Sequence, residues 1–227
     1  MLVQPSFLGT DNSYLVAALD AHPDRLRGIA VVAPEISMVE LDALDATGVV
    51  GARLNLIGEP DPPFATELWR RHLAAIAARG WQVEVQAEAR RLPGVLPTLL
   101  DAGVKVVVDH FGKPDPATGI DDPGFRYLLD AGASRRIWIK LSGAYRNGGP
   151  ECGEAIAAQA IPLLKQAFGL DRLVWGSDWP HTQFEAVIGF PGARGLLDRW
   201  LPDPAEREIV LGATAERLFR FCTTRPS

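Results

Sequence analysis

Two cysteines in 227 residues, at positions 152 and 222, are too few and too far apart to build a disulfide framework or a zinc ribbon. Neither Cys152 nor Cys222 has a Cys or His neighbour at ligand spacing, so both read as reduced thiols of a cytoplasmic protein. Clustered positive charge is also lacking. Lys and Arg number 23 against 28 Asp and Glu, a net charge of −5, which argues against nucleic acid or an anionic membrane surface as a partner. No apolar run approaches the roughly 18 residues of a membrane span, and no basic stretch leads into an apolar one as in an export signal. A cytoplasmic location and a small-molecule partner are therefore expected. What is present, 47% hydrophobic and 22% charged residues, is enough for one domain with an ample core.

Short β-branched runs alternate with segments that are apolar at helical spacing. Strands are predicted at 2–5, 28–34, 50–56, 81–87, 105–110, 137–142 and 173–177. Helices are predicted at 12–21, 37–46, 65–78, 93–102, 122–133, 153–168 and 205–221. Near-continuous apolar strands are buried on both faces, as in a parallel sheet. There is no Gly-x-Gly-x-x-Gly turn, and polar residues recur at strand ends, so a (β/α)8 barrel of the TIM type is favoured over an open nucleotide-binding sheet. Only seven strands are found where such a barrel needs eight. The first βα unit is read as lacking, so that residues 1–227 form a single, N-terminally truncated barrel domain.

Two strand ends carry chemistry. The run 172–175 opens into Gly176-Ser177-Asp178-Trp179-Pro180-His181, and Val106-Val107-Val108 opens into Asp109-His110-Phe111-Gly112-Lys113. Hydrolysis of an ester carbonyl needs a base for water, an electrophile for the developing oxyanion and groups that hold the substrate. Asp178 suits the base, with Trp179 and Pro180 shielding it and raising its pKa. His110 and His181 suit the electrophile, and Asp109 stands as a supporting partner of His110. Arg53 and Arg146 sit at or beyond strand ends, where a guanidinium forks onto a carboxylate. Ser142, Tyr145, Lys113 and Gln86 complete the candidate pocket. His22 and His72 read as structural or solvated, and Arg25, Arg27, Arg70, Arg71, Arg90 and Arg91 as solvated charges.

The strings Gln4-Pro5-Ser6-Phe7-Leu8-Gly9-Thr10-Asp11-Asn12, Asp109-His110-Phe111-Gly112-Lys113-Pro114, Lys140-Leu141-Ser142-Gly143-Ala144-Tyr145-Arg146 and Trp175-Gly176-Ser177-Asp178-Trp179-Pro180-His181 occur in this order. Together they resemble the amidohydrolase-related TIM-barrel hydrolases, in particular the 2-pyrone-4,6-dicarboxylate lactonase group. The resemblance implies hydrolysis of a lactone, with Asp178 as general base and His110 polarising the carbonyl. It also implies work without a divalent metal, so no cofactor is expected, although His110, His181 and Asp178 are three donors that zinc or manganese accepts. The family's first-strand His-x-His pair has no counterpart in this sequence. A small anionic substrate is expected, and the composition leaves the oligomeric state open. Two other readings stand beside the lactonase: a metal-dependent decarboxylase of the same superfamily, and a non-catalytic barrel remnant that binds a metabolite or a partner chain.

Overall fold

A computed structural model describes residues 1–221. Among them are seven strands: β1 (Leu2–Val3), β2 (Gly28–Ala30), β3 (Val49–Asn55), β4 (Gln82–Gln86), β5 (Lys105–Val108), β6 (Ile137–Leu141) and β7 (Leu173–Trp175). They form one sheet in chain order. The β1–β2, β2–β3, β3–β4 and β6–β7 pairs are all parallel. Every strand expected from the sequence is present. Each ends before the expected boundary, and at β5 and β6 the polar residues Asp109, His110 and Ser142 fall in the loops that follow. The helices are α1 (Ser13–Ala21), α2 (Met38–Thr47), α3 (Glu67–Ala78), α4 (Leu92–Asp101), α5 (Pro123–Ala131), α6 (Pro150–Phe168), α7 (Phe190–Trp200), α8 (Pro204–Glu208) and α9 (Thr214–Leu218). Strand and helix thus alternate as in the TIM-type α/β fold expected from the sequence.

Local sequence explains the helix starts. Ser37 accepts from the Glu40 amide while the Glu40 carboxylate accepts from the Ser37 amide, a reciprocal cap that starts α2. Asp122 accepts from the Gly124 and Phe125 amides at the head of α5, with Pro123 in the first turn. The structure departs from the expected helices in two places. α7 has no counterpart among them. Pro191 falls in the first turn, where a missing N–H costs nothing, and Ala193, Leu196, Leu197 and Trp200 bury one face. The expected single helix 205–221 is interrupted by a π-helical turn at Ile209–Ala213 containing Gly212.

The described residues divide into two compact units, 1–86, 95–106 and 216–221, and 87–94 and 107–215. In the first, Ile29, Val49, Val83, Val85, Leu73 and Ile76 are fully or almost fully buried. His72 is buried there with its ring edge-on to Trp69, a structural role. Arg27, expected to be solvated, is buried instead and donates to the carbonyls of Pro23 and Leu26. In the second unit, Phe111, Phe125, Leu128, Ile139, Leu141 and Leu164 form the core. Cys152 is a free thiol, and Cys222 lies outside the described residues. No described helix is long and apolar enough to cross a membrane.

Candidate active site

The second unit gathers seven of the expected residues on three loops. After β5 the backbone turns left-handed at His110, Phe111, Gly112 and Lys113, with φ of 52, 60, 82 and 46°. After β7 it does so again at Asp178, His181 and Gln183, with φ of 60, 63 and 71°. Left-handed backbone costs a non-glycine residue about 1–3 kcal/mol, so these turns persist only because their surroundings hold them. The Asn147 amide donates to the His110 carbonyl at 3.3 Å, and the Ala89 N–H donates to the Lys113 carbonyl at 2.9 Å. Beneath the first turn Lys140 on β6 pairs with Asp109 at 2.9 Å, both buried.

Asp178 is the hub. Its Oδ2 accepts from the Tyr145 hydroxyl and from Arg146 Nε, each at 2.5 Å. Its Oδ1 faces His110 Nε2 at 4.0 Å. Burial pushes the Asp178 carboxyl up, as expected from its neighbours, but the charges of His110 and Arg146 and the hydrogen bonds from Tyr145 and Arg146 outweigh it. The carboxyl ends below its ordinary value. The expectation of a raised pKa is therefore overturned, and Trp179, 71% exposed, is no shield. A carboxylate held ionised is a weak base, so a reaction that relies on it needs an electrophile close by.

The loop after β6 supplies the rest. His110 Nδ1 lies 3.0 Å from Ser142 Oγ and 3.3 Å from the Ser142 carbonyl. Tyr145 is pushed well above its ordinary value, by burial first and then by the hydrogen bond and charge of Asp178, so its hydroxyl stays protonated. Its oxygen also lies 3.0 Å from His181 Nδ1. The Arg146 guanidinium rests against the Tyr145 and Phe184 rings, 5.5 and 5.4 Å from their centroids. Lys113 donates to the Arg146 carbonyl at 2.8 Å, and burial pushes its ammonium below the usual range. The three proposed metal donors do not assemble: among the described residues no three His, Cys, Asp or Glu side chains form a metal-holding group. Asp178 Oδ2 and His181 Nδ1 are already engaged with Tyr145.

Arg53 and Gln86 belong to the other unit, at the ends of β3 and β4. Arg53 donates to Glu84 at 2.7 Å and to Asn55 at 2.6 Å, so the partner demanded by a charge inside an apolar strand is a buried glutamate. His22, outside any site, is exposed at the end of α1.

Gly143 escaped the sequence reading. Its φ is 53°, and a Cβ there would stand 2.8 Å from Asp178 Oδ2 and 2.9 Å from His110 Nδ1. A methyl group at this point wedges apart the two residues the site depends on. Gly143→Ala is expected to destabilise the fold by about 1–3 kcal/mol through backbone strain, yet to lower kcat at least tenfold at temperatures where the variant is folded. Comparing thermal midpoint with kcat checks this; a variant as active as the parent refutes the wedge.

Comparison with known proteins supplies the context. Residues 2–221 match the protein family described as Amidohydrolase. The 4-sulfomuconolactone hydrolase of Rhizobium radiobacter is 30% identical over 96% of this chain and 74% of its own length. A crystal structure of a putative 2-pyrone-4,6-dicarboxylic acid hydrolase from Pseudomonas putida superposes with a TM-score of 0.93 at 39% identity, over 98% of this chain and 82% of that one. A probable 2-pyrone-4,6-dicarboxylic acid hydrolase from Acinetobacter baumannii, crystallised with citric acid, superposes with a TM-score of 0.91 at 40% identity, over 96% and 82% of the two chains.

Proposed function

Because this chain belongs to the amidohydrolase family, we propose that it opens a lactone by hydrolysis, and that its substrate is a carboxylated, anionic lactone of the pyrone dicarboxylate kind. The observation that carries the reading is the asymmetric binding of Asp178: Oδ2 is taken by Tyr145 and Arg146, and Oδ1 is turned toward His110 Nε2 4.0 Å away. A water at about 2.8 Å from Oδ1 has its acceptor there, and Nε2 is left to the carbonyl oxygen. In the proposed reaction Asp178 Oδ1 takes a proton from this water as its oxygen bonds to the lactone carbonyl carbon. His110 Nε2 hydrogen-bonds the developing oxyanion. Collapse breaks the ring C–O bond, and the proton taken by Asp178 goes to the departing ring oxygen, leaving a carboxylic acid that ionises.

Charge supports the anionic substrate. Arg146, expected to fork onto a substrate carboxylate, spends its Nε on Asp178 and an Nη2 contact of 3.3 Å on the Thr182 carbonyl. Lys113 is the better anchor, since an ammonium has three donors and its bond to the Arg146 carbonyl uses one. The binding of citric acid, a tricarboxylate, to the Acinetobacter protein is in keeping with a site of this kind.

The test is turnover of 2-pyrone-4,6-dicarboxylate and 4-sulfomuconolactone against uncharged lactones, following acid release. Hydrolysis of an anionic lactone at least tenfold faster than of its methyl ester upholds the reading; preference for the ester, or no turnover of any lactone, refutes it. The donors at Asp178 compete with any cation for Oδ2, and we propose that no divalent metal takes part. Activity is then expected to stay within twofold after treatment with a chelator. A tenfold loss restored by zinc or manganese would show that a metal takes part and refute this part of the proposal.

A further inference from the structure

The proton positions around Tyr145 distinguish the two histidines. A phenol has one proton, and the Tyr145 oxygen has two close partners: Asp178 Oδ2 at 2.5 Å and His181 Nδ1 at 3.0 Å. An ionised carboxylate only accepts, so an oxygen–oxygen approach of 2.5 Å requires the Tyr145 proton to lie toward Asp178. The Tyr145 oxygen can then only accept from His181, so the imidazole must carry a proton on Nδ1. In the neutral ring this leaves Nε2 bare. His181 is 3% exposed, and its Nε2 has no hydrogen-bond partner among the described residues. A buried nitrogen of this kind calls for a donor such as an ordered water.

His110 is wired differently. Its Nδ1 meets a serine hydroxyl as well as a carbonyl, and a hydroxyl either donates or accepts. The Ser142 carbonyl only accepts, so Nδ1 donates there; in the charged ring, the form in which His110 lowers the Asp178 carboxyl, Nε2 carries the second proton and faces Asp178 Oδ1. We propose that Tyr145 is a positioning residue that locks His181 in the Nδ1–H form, making it a hydrogen-bond acceptor at Nε2 and leaving the electrophile's task to His110 alone. This division of labour rests on the hydrolase reading, whereas the lock itself does not. The balance of protons is kept, since Tyr145 gives up none: its raised pKa makes it a fixed donor rather than a relay.

Nitrogen-15 NMR of the histidine-labelled full chain at neutral pH reads the lock directly. His181 is expected to show a protonated Nδ1 and a pyridine-type Nε2, with the assignment made by loss of the signals in His181→Asn. Tyr145→Phe removes the oxygen that accepts from Nδ1 together with its donation to Asp178, and the pyridine-type signal of Nε2 is expected to diminish or disappear as the ring takes the other form. A protonated Nε2 in the parent chain overturns the lock, and an unchanged tautomer in Tyr145→Phe overturns the part played by Tyr145. Kinetics test the division of labour separately. His110→Asn is expected to lower kcat about a hundredfold, and His181→Asn, whose amide nitrogen replaces Nδ1 as the donor to Tyr145, no more than about tenfold. Equal losses overturn that division. A chain that shows the lock but hydrolyses no lactone refutes the proposed function and leaves the lock standing.

Discussion

Asp178→Asn is expected to lower kcat by about 10²–10⁴-fold, the usual worth of a positioned general base, with little change in the folded structure. The amide is isosteric with the carboxylate, and its oxygen can accept from Tyr145 and Arg146 in place of Oδ2. Its nitrogen then faces His110 Nε2, where water has no acceptor for its proton. The loss should fall on kcat rather than KM, because Asp178 is asked to act on the attacking water and not to hold the substrate. His22→Ala, at an exposed position ending α1, serves as the control and should match the parent. If Asp178→Asn retains more than a tenth of the parent kcat, Asp178 is not the base; Tyr145 and Arg146 would then be holding a structural carboxylate.

Much of this site was legible because apolar strands end abruptly in polar residues. Asp178 and His110 stand out beyond Val174-Trp175 and Val106-Val107-Val108, and the structure brings them to one place. Less legible was what a charge within a strand means. Arg53 suits a substrate anchor by a signature that Glu84 and Lys140 share in β4 and β6. In the structure the outcome is ion pairs: Arg53 with Glu84, and Lys140 with Asp109. A sequence shows the cost of burying a charge without showing which neighbour relieves it. Gly143 and the left-handed turns were illegible for another reason. Positive φ is a property of backbone held by its surroundings, and His110, Phe111, Lys113 and Asp178 adopt it although they are not glycines. α7 was legible in principle: 193, 196, 197 and 200 keep helical spacing.

Arg146→Gln is the second large effect, and pH exposes it best. In the parent chain Asp178 has its carboxyl held below the ordinary value, with Arg146 among the causes. Such a group stabilises the fold above the pKa of the unfolded chain, and that contribution is lost as pH falls through the lower, folded-state value. The base also stays ionised over the whole neutral range, so the parent's acid limb of kcat/KM is expected at or below the ordinary carboxylate region. Removing the guanidinium leaves burial, which pushes the carboxyl up, less opposed. The acid limb of Arg146→Gln is therefore expected to move to higher pH, and kcat at neutral pH to fall about tenfold or more as Asp178 loses the contact that aims Oδ1. Stability should drop by about 3 kcal/mol, the low end for leaving one buried charge unpaired, since both side chains keep 16% exposure. Neutralising the stranded charge should recover part of it, so Asp178→Asn/Arg146→Gln is expected to unfold at a higher temperature than Arg146→Gln alone. An unmoved acid limb in Arg146→Gln, or a double variant less stable than the sum of the single losses, would show that the pair is not coupled and that Arg146 serves the substrate instead.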